Sequence, residues 1–340
     1  MKLSEGKVRR LNALANESGI IAALAMDQRG SLRNALAAAR GVDKKEITFE
    51  MMAEFKTAVI EILSPYASAV LLDPEYGLGA RNARSQTTGL LLAYEKSGYD
   101  NTQPGRLPDL LENVSVRRIV DWQADAVKVL LYYTPFEESR INDIKHAFIE
   151  RIGAECEDYQ IPFFLEFVGY DPAGGDEKGF EYAKVKPEIV WRSIAEFTKP
   201  EYKVDVLKVE VPVNAEFVEG SVVFKGRAAY TRDEALDHFR RAAAAATKPF
   251  IYLSAGVGNE QFVESLRMAV EAGVDFSGVL CGRATWKNGI PVYAREGRQA
   301  FVSWLESQGV RNIQAVNEAI RGARPWYAKL GLEAPARKVA

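Results

Sequence analysis

Five ionisable residues stand inside otherwise apolar runs of this sequence: Asp27, Lys128, Glu166, Lys208 and Arg283. A buried charge is costly unless it is paired or has work to do, so these positions are where chemistry is expected. Lys208 lies in Val-Leu-Lys-Val-Glu-Val-Pro (206–212), where the two-residue strand period puts Glu210 on the same side. Burial disfavours a lysine's ammonium form, so a nucleophilic amine becomes accessible near neutral pH. A second cation nearby adds to that effect, and Lys128, in Ala-Val-Lys-Val-Leu (126–130), is the candidate.

Glu166 sits in Phe-Phe-Leu-Glu-Phe-Val (163–168), an apolar setting expected to raise a carboxyl pKa toward the general acid/base range. Asp27 closes Ala-Met-Asp (25–27) and could orient a lysine or bind a substrate hydroxyl. The plainer alternatives are buried ion pairs that hold the fold, and a helix cap at Asp27. Several charged strand residues together weigh against them.

Two small-residue turns complete the set: Ser254-Ala255-Gly256-Val257-Gly258 and Cys281-Gly282-Arg283-Ala284. Glycines let backbone N–H groups approach an anion, a following helix N-terminus favours it, and Arg283 adds a bidentate contact. An amine nucleophile, an acid/base and a phosphate cradle define a reaction class. An imine withdraws electrons, so a carbon–carbon bond β to it can break, which is a retro-aldol reaction on a ketose phosphate.

Such residues need a frame that brings them together. Short apolar runs recur at 20–27, 69–74, 89–95, 126–133, 162–168, 204–211, 250–255 and 278–283. Helix-period segments at 49–63, 141–159, 186–197, 232–246 and 260–272 separate most of them. That alternation implies a parallel sheet with helices outside, and eight strands imply one α/β domain, a (β/α)₈ TIM barrel spanning 1–340. Barrel enzymes keep their chemistry at the C-terminal strand ends, and often bind phosphate after strands seven and eight.

No full helix fits between the second and third strands. A helix is expected over about 1–18, and a peripheral helix with a loose tail over about 325–340. The Gly-, Asp- and Pro-rich segment 169–178 reads as a long loop over the barrel mouth, a candidate lid. Lys128 and Lys208 share an Asp-Ala/Val-Val/Leu-Lys-Val context, which suggests equivalent positions in their βα units.

Composition excludes several classes. The net charge is −2, from 44 Lys+Arg against 46 Asp+Glu, and no run of five basic residues occurs, so nucleic acid is not an expected partner. No apolar stretch is long enough to span a membrane, and the start lacks a signal-type apolar run, so a cytoplasmic setting is expected. Cys156 and Cys281 read as buried free thiols. His146 and His238 read as surface helix residues, too few for a zinc site, so no metal or cofactor is expected.

Beyond these readings, the chain resembles the class I tagatose 1,6-bisphosphate aldolases of bacterial lactose and galactose catabolism. The likeness runs from about residue 20 to 326. It is carried by Ala-Met-Asp-Gln-Arg-Gly (25–30), Leu-Leu-Asp-Pro-Glu-Tyr-Gly (71–77), Gly-Leu-Leu-Leu-Ala-Tyr-Glu-Lys (89–96), Val-Asp-Val-Leu-Lys-Val-Glu-Val-Pro-Val (204–213), Tyr-Leu-Ser-Ala-Gly-Val (252–257) and Gly-Val-Leu-Cys-Gly-Arg-Ala-Thr-Trp (278–286).

The resemblance implies a metal-independent lyase in which Lys208 forms the imine and Glu166 shuttles protons, with Lys128 and Asp27 assisting. It implies that Ser254, Gly256, Gly282 and Arg283 hold the dihydroxyacetone-phosphate end, and that Gln28 and Arg29 meet the far end of the ketose phosphate. Fructose 1,6-bisphosphate is an expected second substrate. The segment 169–178 and the tail after 323 depart from the pattern, which leaves open a sulfonate in place of the second phosphate. A sugar-phosphate sensor without turnover is a further alternative. Oligomeric state stays open, although barrel aldolases usually associate.

Overall fold

The computed structural model describes residues 3–99 and 102–335. Eight strands, β1 (Ile21–Met26), β2 (Ala69–Leu72), β3 (Gly89–Ala93), β4 (Ala126–Tyr132), β5 (Phe163–Val168), β6 (Val206–Glu210), β7 (Phe250–Leu253) and β8 (Gly278–Cys281), follow the expected order. They close into one barrel, all parallel, with β1 paired to both β2 and β8. Around it lie α1 (Glu5–Leu14), α2 (Gly30–Arg40), α3 (Phe49–Leu63), α4 (Val116–Asp121), α5 (Ser139–Asp158), α6 (Phe180–Phe197), α7 (Arg232–Ala245), α8 (Asn259–Glu271), α9 (Arg283–Trp286), α10 (Ile290–Trp304) and α11 (Val310–Ala319). Only a 3₁₀ stretch, Leu78–Ala83, joins β2 to β3, as the short spacing requires.

Alternation along each strand sorts its side chains. One set (Leu24, Val70, Leu92, Val129, Leu165, Val209) packs under the helices. The other (Ala23, Ala25, Leu71, Leu91, Phe164, Val206, Ile251, Leu280) fills the barrel interior. Leu11 and Leu14 of α1, together with the fully buried Trp326, join this inner cluster. Trp326 is therefore a core residue and not the start of a peripheral helix. Beyond it only one 3₁₀ turn, Ala328–Leu330, forms. Of the two terminal expectations, residues 1–2 and 336–340 lie outside the described residues.

Helix α6 begins six residues before its expected start and carries Pro187 in its interior. A proline cannot donate to the carbonyl four residues back, here Ala183. Tyr230 Oη donates to the neighbouring Lys184 carbonyl at 2.6 Å and lies 3.1 Å from that of Ala183, so a hydroxyl stands where the helix ladder is broken.

Lys56 of α3 is fully buried where the helix passes the C-terminal end of β1. Its ammonium donates to the carbonyls of Met26 and Gln28, each at 2.8 Å, and to the buried carboxylate of Asp73. Burial pushes its pKa down, against the pull of Asp73. Lys56→Met strands a buried carboxylate, so chemical denaturation should show a loss of about 3–5 kcal/mol, partly recovered by Asp73→Asn.

Candidate active site

Above the apolar interior, the inward-facing positions become charged. Lys128 and Lys208 are each the third residue of their strand, as their shared context suggested. Glu166 lies opposite Lys208 in the β5–β6 register, and Asp27 follows β1 directly. The lysines are 1% and 3% exposed and Glu166 9%, so these charges interact with little screening by water.

Lys128 Nζ contacts three carboxylates: Asp27 at 2.8 Å, Glu95 at 2.8 Å and Glu166 at 2.9 Å. Lys208 Nζ lies 2.7 Å from the same Glu166 oxygen, Oε2. One carboxylate thus bridges both ammoniums. Burial opposes the charge on Lys128, but Asp27, Glu166 and Glu95 overcome it and hold its pKa well above the usual lysine range. Burial also opposes the charge on Asp27, yet Lys128 and Lys208 hold its carboxyl well below the usual range.

Glu166 corrects an expectation. Its apolar strand pushes its pKa up, as anticipated, but the two ammoniums outweigh burial and the net shift is downward. It is a carboxylate at neutral pH, poised to accept a proton.

The turns after β7 and β8 form one wall. Arg283 is the first residue of α9, not part of β8, and that helix has a single turn, too short to supply the helix terminus anticipated there. Gly256 adopts φ +77°, and a Cβ on it would meet the Arg283 guanidinium carbon at 2.7 Å. Lys287 Nζ donates to the Gly256 carbonyl at 2.9 Å. Burial, then the neighbouring charges of Lys178 and Arg283, lowers the Lys287 pKa. Cations therefore gather at this turn, beside the buried Ser254, in a manner suited to an anion.

Gly282 is there for closeness of approach: a Cβ would lie 2.3 Å from the Ala25 carbonyl oxygen. Gly282→Ala must push β8 from β1, so a lowered Tm is expected, and thermal unfolding checks it.

Asp27, Gln28, Arg29, Glu95, Lys128, Glu166 and Arg283 line a common cavity of about 730 Å³. Gln28 Nε2 donates to Asp27 at 3.1 Å. Arg29 is buried, with its guanidinium bound to Glu75 at 2.7 Å and to the Glu95 carbonyl at 2.8 Å. Arg33, Lys44 and Lys45 line the same cavity.

The segment 169–178 is an irregular loop, but it does not line the cavity wall of Gln28 and Arg29. Gly169, Glu177 and Lys178 border a smaller space of about 120 Å³ shared with Ser254 and Ala255. Glu177 holds Arg106 of the β3–α4 connection at 2.5 Å, and that guanidinium also packs over Tyr99, Tyr132 and Tyr170.

Two groups of site residues escaped the sequence reading. Glu95 looked like a strand-end residue next to Lys96, and its signal was only that it completes an inward period with Leu91 and Ala93. Lys178 and Lys287 gave no signal, because their surroundings come from separate loops. Cys156 and Cys281 are buried free thiols. His146 and His238 are half-buried and pack on Tyr133 and Tyr230, contrary to the surface expectation.

Two buried lysines sharing one carboxylate at the C-terminal mouth of a parallel barrel, beside an anion-suited turn, put the charged cluster where barrel enzymes keep their chemistry. The chain belongs to the DeoC/LacD family of aldolases, whose family model matches residues 21–288. It is 51% identical over 332 residues to a tagatose 1,6-diphosphate aldolase of Listeria monocytogenes, covering 97% of this chain and 96% of that one. It is equally 51% identical, over 331 residues, to tagatose 1,6-diphosphate aldolase 2 of Enterococcus faecalis, covering 97% and 98%. The fold is shared with a fructose-bisphosphate aldolase from Plasmodium falciparum, at a TM-score of 0.68 and 13% identity, covering 95% and 97%.

Proposed function

We propose that this aldolase cleaves D-tagatose 1,6-bisphosphate to dihydroxyacetone phosphate and glyceraldehyde 3-phosphate through a Schiff base on Lys208, and that it also accepts fructose 1,6-bisphosphate. The observation that carries the reading is the 2.7 Å contact between the buried Lys208 ammonium and Glu166.

Glu166 takes a proton from Lys208, and the freed amine adds to the ketose carbonyl carbon. Loss of water, with Glu166 returning the proton to the departing oxygen, gives the iminium. The bond between carbons 3 and 4 then breaks as the carbon 4 hydroxyl yields its proton to Glu166. The aldehyde leaves and the electron pair settles in an enamine. Protonation at carbon 3 and hydrolysis release dihydroxyacetone phosphate and restore the amine. Lys128 stays charged throughout, fixing Asp27 and Glu166 about the reacting carbons.

Ser254, Gly256, Gly282 and Arg283 are assigned to the phosphate of the dihydroxyacetone half. Gln28 and Arg29 are assigned to the far end, where Arg33, Lys44 and Lys45 add the positive potential a phosphate dianion requires. That surplus favours a second phosphate over a singly charged sulfonate.

Borohydride reduction in the presence of dihydroxyacetone phosphate, followed by peptide mass spectrometry, tests the reading. A covalent adduct on Lys208 is the expected result. Absence of any adduct while the phosphate still protects the protein thermally would replace the lyase by a binder.

A further inference from the structure

Three enclosed polar atoms, on residues that line the cavity, lack hydrogen-bond partners among the described residues: Gln28 Oε1, Arg29 Nε and Glu95 Oε2. A buried polar atom without a partner is rare and calls for a cause. These three belong to residues that line the same cavity, and they comprise two acceptors and one donor.

Glu95 is the centre of the group. It is 96% buried, being 4% exposed, and follows β3, whose Ala93 pairs in register with Lys128. Its Oε1 accepts from Lys128 Nζ at 2.8 Å and lies 3.7 Å from the Arg29 guanidinium. Arg29 also grips the Glu95 carbonyl at 2.8 Å. The carboxylate is therefore held through one oxygen and through its backbone, which leaves the other oxygen without a partner among the described residues. A carboxylate needed only to neutralise Lys128 gains nothing from that arrangement, because Asp27 and Glu166 already contact the same ammonium.

We propose that Glu95 is a specificity-determining residue whose free oxygen accepts a hydrogen bond from a hydroxyl on the aldehyde half of the substrate. Gln28 Oε1 and Arg29 Nε extend the same hydroxyl-reading wall. The inference rests on the Schiff-base reading above. With the imine at β6 and the phosphate on the turns after β7 and β8, the portion released as aldehyde extends over the wall built by β1, β3 and β4. The hydroxyl that fits is the one next to the aldehyde carbon, which takes no part in bond cleavage. The step is recognition only, with no bond made or broken at Glu95.

Condensation of dihydroxyacetone phosphate with glyceraldehyde 3-phosphate, compared with its 2-deoxy analogue, 3-phosphopropanal, isolates this contact. A site built to hydrogen-bond a hydroxyl rejects the analogue lacking it, and wild-type enzyme is expected to prefer the hydroxylated aldehyde by about 100-fold or more in kcat/KM. In Glu95→Gln the single amide oxygen stays on the Lys128 ammonium and the NH₂ can only donate to the hydroxyl oxygen, so the charge-assisted bond is lost and that preference should shrink by about tenfold or more.

A wild-type preference below about threefold overturns the proposal without any variant. So does a Glu95→Gln enzyme that loses both reactions in equal proportion, since Glu95 then acts only through Lys128. The borohydride adduct with dihydroxyacetone phosphate, measured alongside, separates the two readings. An adduct on Lys208 with no change in aldehyde preference removes only the role of Glu95. No adduct in wild-type enzyme removes the aldolase chemistry on which that role depends.

Discussion

Lys208→Ala is expected to abolish cleavage, by roughly 10⁵-fold or more, in a protein that still folds. The size of the effect follows from electron bookkeeping at the substrate. Without the imine, breaking the bond between carbons 3 and 4 leaves a pair of electrons with no cationic sink, and no other amine is placed to form one. Lys128 cannot substitute, because three carboxylates surround its ammonium and keep it protonated. The fold should survive because Glu166 keeps Lys128 at 2.9 Å when Lys208 is removed. No buried carboxylate is left unpaired, and a stability loss of about 1–3 kcal/mol is expected, not that of a broken buried pair. A coupled triose-phosphate assay and chemical denaturation measure the two effects. Turnover above trace level in the variant would remove the imine mechanism.

The second large effect is at Glu166. Glu166→Gln keeps the shape of the side chain and removes its capacity to take and return a proton, so kcat should fall by about 10²- to 10⁴-fold. Both lysines lose a carboxylate neighbour, while Lys128 retains Asp27 and Glu95. The pH profile distinguishes loss of acid/base chemistry from loss of structure. With its pKa held below the ordinary range by the two ammoniums, wild-type Glu166 should stay ionised to more acid pH than an ordinary glutamate. The acid limb of kcat is then displaced toward acid, and the glutamine variant should lack the Glu166 contribution to it.

The same shift bears on stability. For Asp27 and Glu166 the folded pKa is lower than the unfolded one, so their contribution is full above about pH 4–4.5. It is lost as pH falls through the folded values. Thermal unfolding followed between pH 7 and pH 3 should hold level and then decline at the acid end. A midpoint that falls already between pH 7 and pH 5 would assign the acid sensitivity to other groups.

Much of this site was legible in the chain because an ionisable residue inside an apolar strand is a local anomaly. Asp27, Lys128, Glu166 and Lys208 announce themselves by their immediate neighbours, and the turns at Gly256 and Gly282 by their small residues. The register of eight units was legible for a similar reason: a strand covered on both faces needs a short apolar run, and its crossover helix needs a longer periodic one. Pro187 shows the limit of such reasoning. The helical period reads from 186, yet the helix begins at Phe180 with Pro187 inside it, and the hydroxyl of Tyr230, 43 positions away by number, sits at the break in its ladder.

Strand composition and order were enough to dictate a closed parallel barrel with two lysines and two acids at its mouth, since both depend on patterns a few residues long. Barrel closure was needed to settle which charges meet. It set Glu166 between two ammoniums and so reversed the direction of its pKa, and it brought Glu95, just past β3, onto Lys128 of β4. It also buried Trp326 with the interior cluster and gathered Lys178, Arg283 and Lys287 around one glycine turn. The physical reason is common to all of these. Coulomb interactions and desolvation depend on distance and enclosure, and for residues far apart in sequence both are set only when the chain closes on itself.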